Sequence, residues 1–313
     1  MISNFFSKSK PIHYIIVSVI LLVVFVLSRV SSFADNFSLI FLANQIGLFC
    51  VIVLSVLVFD FLVTRNGLTK KNSYNILLFS IFIAVFPQTL LNSRLLFAHF
   101  FILLALRRIL SLRSQKEIKK KIFDASFWIA LSTLFYFWSS VFFIMIFAAL
   151  LVYLIADVKN YLIPFVGVAA TAILVIIYGI SLNKDISVVT DTMFVYSFDY
   201  STLKTKQIIV GSTLLFSIGF WAMFYFIKNI KFQMKSHRPS FKLIILYALL
   251  GLFIIAVTPS KNGSEFIFLF VPLSIIVTNY IEVVPSKWLK ETLLWVIILI
   301  PIALLILSFF PES

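Results

Sequence analysis

Apolar runs fill the chain from end to end, and short polar loops interrupt them at nearly regular intervals. The runs fall at about 11–28, 38–59, 75–91, 95–110, 123–138, 139–156, 162–182, 207–227, 242–258, 264–281 and 292–310. Most approach the roughly 20 residues that a helix needs to cross a hydrocarbon core. The pattern predicts an all-α fold, a polytopic transmembrane helical bundle of about 11 spans. The count becomes 10 if 123–138 and 139–156 form one bent, re-entrant segment. Against that, Phe135, Tyr136, Phe137 and Trp138 at their junction favour a hairpin whose tip sits at the interface, where aromatic rings prefer to lie. The stretch 95–106 reaches only about 18 Å as a helix. It spans if Arg107 and Arg108 extend toward the head groups.

Loop charge gives the bundle a direction. With the N-terminus inside, 20 of the 26 basic residues fall in cytoplasmic loops. The outer side keeps Arg29, Arg94, Lys184, Lys204, Lys206 and Lys261. Basic loops resist translocation, so the split predicts a cytoplasmic N-terminus and a periplasmic C-terminus. The basic loop around 107–124 reads as a topology determinant drawn to anionic lipid head groups. Lys8 and Lys10 before the first run, with Ser32-Phe33-Ala34 after it, loosely resemble a cleavable signal. Arg29 interrupts the approach to that site, so an uncleaved anchor is expected.

Composition narrows the class further. Only 12% of residues are charged and 62% are hydrophobic, with a mean hydropathy of +1.10. Soluble chains average about 25% charged residues, so residues 1–313 read as one integral membrane domain with no soluble domain. The net charge of +14 is dispersed among loops rather than gathered on a basic domain, so no nucleic-acid partner is expected. Cys50 is the single cysteine, which leaves neither a disulfide framework nor a thiolate metal site. These features fit a bacterial inner membrane, with membrane lipids as the first partners.

Ionisable residues in or beside membrane helices are costly and therefore candidates for function. Here they gather on the predicted outer side: Arg29 and Asp35 after the first run, Arg94 between the third and fourth, and Lys261 and Glu265 before the tenth. Asn44, Gln45, Gln88 and Asn92 accompany them. Arg29, Arg94 and Lys261 are the candidate phosphate-binding residues, and Asp35 or Glu265 the candidate base toward an incoming hydroxyl. Each has a plainer reading. Lys261 serves equally as an interface anchor, Asp35 as a loop acid, and Glu265 as a carboxylate favoured by a helix N-terminus. Asp60 is expected to pair locally with Arg65.

His13 and His237 fall near the inner side and His99 toward the outer half, so they build no common site. Arg94 and His99 are about 140° apart around a helix and share no face. No metal and no cofactor is expected. Neither a nucleophile elbow nor a glycine-rich phosphate loop is present.

Two stretches carry a resemblance. LNSRLLFAHFFILLALRR at 91–108 precedes a basic loop and IFDASFWIALSTLFYFWSS at 122–140, and TPSKNGSEFIFLFVPLSII follows at 258–276. Together they resemble the membrane core of GT-C-type glycosyltransferases, which draw sugars from polyprenyl-phosphate donors at the outer leaflet. The resemblance puts Lys261 on the late basic outer turn of that family and Pro272 on the proline-containing span after it. The long first outer loop of those enzymes is reduced here to about Arg29 to Phe37, with Asp35 as its sole acid. The opening MISNFFSKSKPIHYIIV and the 91–140 block also resemble an uncharacterised family of integral membrane proteins from Bacteroidota. The expectation is a protein acting on polyprenyl-phosphate-linked glycan at the periplasmic face. Two alternatives stand beside it: a non-enzymatic subunit of an envelope assembly with a protein partner, and a transporter of lipid-linked sugar.

Overall fold

The computed structural model describes residues 2–30, 38–181, 195–259 and 261–308, and all regular structure among them is helical. In chain order the helices are α1 (Ile2–Phe6), α2 (Pro11–Ser28), α3 (Leu39–Asn66), α4 (Tyr74–Val85), α5 (Gln88–Leu91), α6 (Ser93–Ser111) and α7 (Ile118–Phe135). Then follow α8 (Phe143–Val152), α9 (Lys159–Ser181), α10 (Lys206–Ile230), α11 (Arg238–Val257), α12 (Ile267–Val283) and α13 (Lys287–Ser308).

Seven segments among the described residues are long and apolar enough to cross a membrane: Pro11–Ser28, Leu39–Asn66, Ser93–Ser114, Lys159–Ser181, Lys206–Ile230, Arg238–Val257 and Ser264–Val283. Such a set suits a membrane protein, because helices satisfy their backbone groups internally where no water is present to do so. Tyr74–Val85 and Phe137–Val152 are apolar but shorter. Local chemistry accounts for the remaining apolar runs. Lys119, Lys120, Lys121 and Asp124 charge the first two turns of α7, and Lys287, Lys290 and Glu291 those of α13.

Helix ends follow from a few residues. Pro11 opens α2, where a missing N–H costs nothing. The Ser38 hydroxyl accepts from the Phe41 N–H at 3.2 Å and caps α3. The run expected as one span over 75–91 breaks instead into α4 and α5. Pro87 disfavours the helical region for the residue before it, and Phe86 sits at φ −122°, ψ 69°. Asn92 then caps α6 by accepting from the Leu95 N–H at 3.3 Å. The chain breaks near 138: α7 stops at an extended Tyr136, and 3-10 turns over Phe137–Phe142 lead into α8.

α4 and α12 make the axis of the bundle. Every residue of α4 is buried, and 83% of the Ser264–Val283 segment lies inside the protein. The two helices touch through Phe82 and Phe270, whose ring centroids are 6.0 Å apart, and Phe86 stacks on Phe266 at 4.5 Å. α2, α10, α11 and α13 pack around this axis, and α3, α6, α7 and α9 form a row beside it. α9 is the outermost of that row, with 22% of its length buried. It reaches α7 through Gly167, where an added Cβ would stand 2.0 Å from Ser126 Oγ and 3.0 Å from the Phe127 nitrogen.

Long-range polar bonds gather at two ends of this bundle. At one end His13 Nδ1 meets Ser73 Oγ at 2.8 Å, Asn72 donates to Glu282 at 2.5 Å, and the Ser3 hydroxyl donates to Glu291 at 2.6 Å. Asp60 belongs here and does not pair with Arg65. It accepts from the Tyr14 hydroxyl at 2.5 Å and from Asn75 at 3.0 Å. Five residues of helix turn Arg65 about 140° away from it, so Asp60 faces inward and Arg65 outward.

Packing at Gly167 sets a first prediction. Gly167→Val forces α9 off α7 and lowers stability by about 1–3 kcal/mol. Gly47 has no neighbour within 4 Å of an added Cβ, so Gly47→Ala leaves stability unchanged or slightly raised. Thermal unfolding of both variants in detergent measures the contrast, and equal melting points would remove the argument.

Candidate functional site

The other polar end holds most of the residues expected to carry chemistry. Arg29 follows α2 and is 6% exposed. Its Nη1 donates to Gln45 Oε1 at 2.7 Å, its Nη2 donates to the Leu90 carbonyl at 2.5 Å, and its guanidinium lies 4.8 Å over the Phe25 ring. One side chain thus ties α2 to α3 and α5. Its Nε is buried without a partner among the described residues, and burial pushes its pKa below the ordinary arginine value.

Lys261 is 2% exposed. Its ammonium donates to the Thr258 carbonyl at 2.9 Å and to the Ser197 carbonyl, and it sits 4.5 Å over the Tyr200 ring. The Thr202 hydroxyl donates to the Lys261 carbonyl in return. The lysine therefore straps residues 195–203 to the turn between α11 and α12. Asp199, on the exposed side of that loop, is held below the usual carboxylate range by the N–H and hydroxyl of Ser201.

Glu265 begins the short turn into α12 and is also 2% exposed. Its Oε2 accepts the Gly263 N–H at 3.1 Å, so the carboxylate caps its own turn. Gly263 stands at φ +89°, a left-handed conformation that glycine adopts at least cost. Next to it Ser264 donates to the Gln88 carbonyl at 3.0 Å, and Gln88 Nε2 donates to Gln207 at 3.2 Å. The Tyr136 hydroxyl bonds the Thr258 hydroxyl. These bonds join α5, α7, α10 and the turn before α12 into one buried polar layer.

Arg29, Lys261 and Glu265 thus come to the same end of the bundle, with donors or acceptors committed within the protein. Arg94 differs: it is exposed and makes no hydrogen bond or ion pair among the described residues. Asp35 lies outside the described residues. Gln45 was visible in the sequence as a polar residue in an apolar run. Ser197, Tyr200, Thr202 and Gln207 carried no comparable signal, because loop residues of those types are ordinary.

Beside Arg29 a groove of about 430 Å³ opens between α2 and α3. Phe25, Val26, Leu42, Ile46 and Phe49 give it apolar walls, with Gln45 as the one polar lining residue. Deeper in the protein, His99 is 1% exposed with both ring nitrogens unpartnered. It stacks on Phe79 at 5.9 Å and meets Phe268 edge-on at 6.0 Å. Arg94 and His99 do face apart, one exposed and one buried. Among the described residues no three His, Cys, Asp or Glu side chains gather as a metal site requires.

The fold and its two polar ends define a helical membrane bundle. The chain belongs to a family of unknown function, DUF6427, whose model matches residues 1–311. No curated protein and no solved structure matches it.

The strap at Arg29 yields a second prediction. Arg29→Met leaves Gln45 and the Leu90 carbonyl without their charged donor and costs about 2–3 kcal/mol. Arg94→Ala changes stability by less than about 0.5 kcal/mol, as an exposed side chain without partners should. Chemical or thermal unfolding of the two variants compares them directly.

Proposed function

We propose that the chain crosses a bacterial inner membrane eleven times, N-terminus inside and C-terminus outside, and receives a polyprenyl-phosphate-linked sugar at its outer end. The groove between α2 and α3 carries this reading. Its apolar walls suit a polyprenyl chain, and Gln45 in its wall bonds Arg29, a cation suited to the phosphate. Arg94 is the exposed cation on the same end, available to a phosphate as it arrives. The orientation draws support from the sorting of polar bonds. Loops assigned inside by charge bond with one another, as Asn72 does with Glu282, and so do those assigned outside, as Gln88 does with Gln207.

In this reading Lys261 holds the outer turn in place rather than gripping the donor. Glu265, buried on that turn, is the acid positioned to take a proton from an acceptor hydroxyl as the sugar leaves its phosphate. The distant likeness to GT-C membrane cores belongs to the same reading.

A second reading is a non-enzymatic subunit of an envelope assembly. Its motive is the commitment of Arg29, Lys261 and Glu265 to internal bonds. The transporter reading needs a polar path between the ends, whereas Phe79, Phe82, Phe268 and Phe270 fill the axis.

Mass spectrometry of lipid-linked glycans in a deletion strain separates these readings. The expected result is accumulation of a polyprenyl-linked sugar, cleared by the wild-type protein. Ile46→Trp, at a position 57% exposed in the groove, should fill it without disturbing the core and fail to clear the pool. Arg94→Ala should clear it slowly. An unchanged pool in the deletion strain refutes the transferase reading and favours the subunit.

A further inference from the structure

The inner end carries a cavity that the outer-end reading does not use. It measures about 610 Å³ and lies among α3, α6 and the first turn of α7. Arg65, Arg107, Arg108, Arg113 and Lys121 line it. Asp124 pairs with Arg108 at 2.8 Å, the sole salt bridge among the described residues, and the Glu117 carboxylate acts on Lys121 from close by. Arg113 Nη1 donates to the Asn66 carbonyl at 3.0 Å and to His237 Nδ1 at 2.8 Å. Lys121 is 9% exposed, and its ammonium donates to the Ser111 carbonyl at 2.8 Å and to Ser114 Oγ at 2.6 Å. Burial pushes its pKa down. Arg65 and Arg107 are exposed and have no carboxylate partner, and Arg107 lies 5.1 Å over the Phe61 ring.

Five cations against two carboxylates, Asp124 and Glu117, leave an excess of positive charge in a concave site. Its volume falls within the roughly 300–1,000 Å³ typical of ligand pockets. Arginine presents a planar fork of donors that matches phosphate oxygens two at a time. The surroundings favour a phosphate carried by a lipid. Leu54, Leu57 and Phe61 are 46%, 45% and 49% exposed on successive turns of α3, and they form an apolar stripe running from the cavity toward mid-bundle.

We propose that this cavity is a phosphate site occupied by the head group of an anionic lipid, with Arg65 and Arg107 on the phosphate oxygens and the acyl chain along Leu54, Leu57 and Phe61. The protein would thereby hold one lipid at its inner end, independently of any substrate at the outer end. Lys121 and Arg113, bonded to carbonyls behind it, fix the floor of the cavity.

The test uses the full-length protein in detergent, titrated with short-chain phosphatidylglycerol, with phosphatidylcholine of equal chain length, and with inorganic phosphate. Phosphatidylglycerol should raise the melting temperature where phosphatidylcholine does not. Arg65→Gln/Arg107→Gln should weaken that effect about tenfold or more. Lys231→Gln/Lys235→Gln removes the same charge from exposed positions elsewhere at the inner end and should retain the full shift. If the double arginine variant folds poorly, Ser114→Glu serves instead. It places a carboxylate in the cavity beside Lys121 and should abolish the lipid response while the protein stays folded. An equal response to inorganic phosphate, lost in the same variants, supports the phosphate site and assigns it to a soluble source. No response, or one equally reduced in both double variants, overturns the proposal.

Discussion

The constraint behind most of this structure is the length of α4. It runs from Tyr74 to Val85, wholly buried, and reaches only about 18 Å against a hydrocarbon core of about 30 Å. Both of its ends therefore stay inside the protein, where its own groups rather than water must satisfy them. Asn72, Ser73 and Asn75 at one end, and Thr89 at the other, are buried for that reason. Each polar loop must find partners inside the protein, since an unpaired polar group in an apolar medium costs several kcal/mol. His13, Asp60 and Glu282 supply them at the inner end. Arg29, Ser264 and Gln207 supply them at the outer end. The two polar layers are consequences of one short helix.

That origin changes the meaning of charged residues at the outer end. A buried guanidinium or ammonium with several donors closes irregular loop carbonyls more effectively than a neutral group, because charge-assisted hydrogen bonds are roughly twice as strong. Arg29 and Lys261 both do this, and both also lie over aromatic rings, where desolvated cations gain further attraction. Glu265 caps its own turn by the same economy. Residues placed to organise a surface remain available to a ligand only at atoms they have not committed. Among the described residues Arg94 meets that condition, whereas Arg29 Nε and Gln88 Oε1 carry no bond but are buried.

Much of the architecture was legible because hydrophobic length and loop charge are strong signals in a membrane chain. The break at Tyr136 falls at the aromatic run that marked the junction, and the first two runs begin at 11 and 38, where α2 and the cap of α3 stand. The break at Phe86–Pro87 was less visible, because the apolar run continues past the proline. The partners of the charges were not legible at all. Asp60 was matched to Arg65 by sequence distance, whereas helical rotation turns it to Tyr14 and Asn75. Lys261 was read equally as a phosphate ligand or an interface anchor, and its actual acceptors, the carbonyls of Ser197 and Thr258, carry no side-chain signature.

The two ends also differ in how charge is balanced, and that difference bears on what each can hold. At the outer end the buried cations are answered by carbonyls and rings already in place, so a ligand there competes with the protein for donors. At the inner end Arg65 and Arg107 have no carboxylate partner, and Asp124 answers Arg108 alone. Exposed cations in water would need no further compensation, being screened within about 10 Å by salt. Around a cavity edged by Phe61 and the lipid-facing stripe of α3, screening is weaker and repulsion among the cations persists. An anion bound there relieves that repulsion and gains each arginine's donors without displacing an internal bond. On electrostatic grounds the basic cavity is the better of the two proposed phosphate sites, and a substrate proposed for the opposite end would depend more on its apolar chain for affinity.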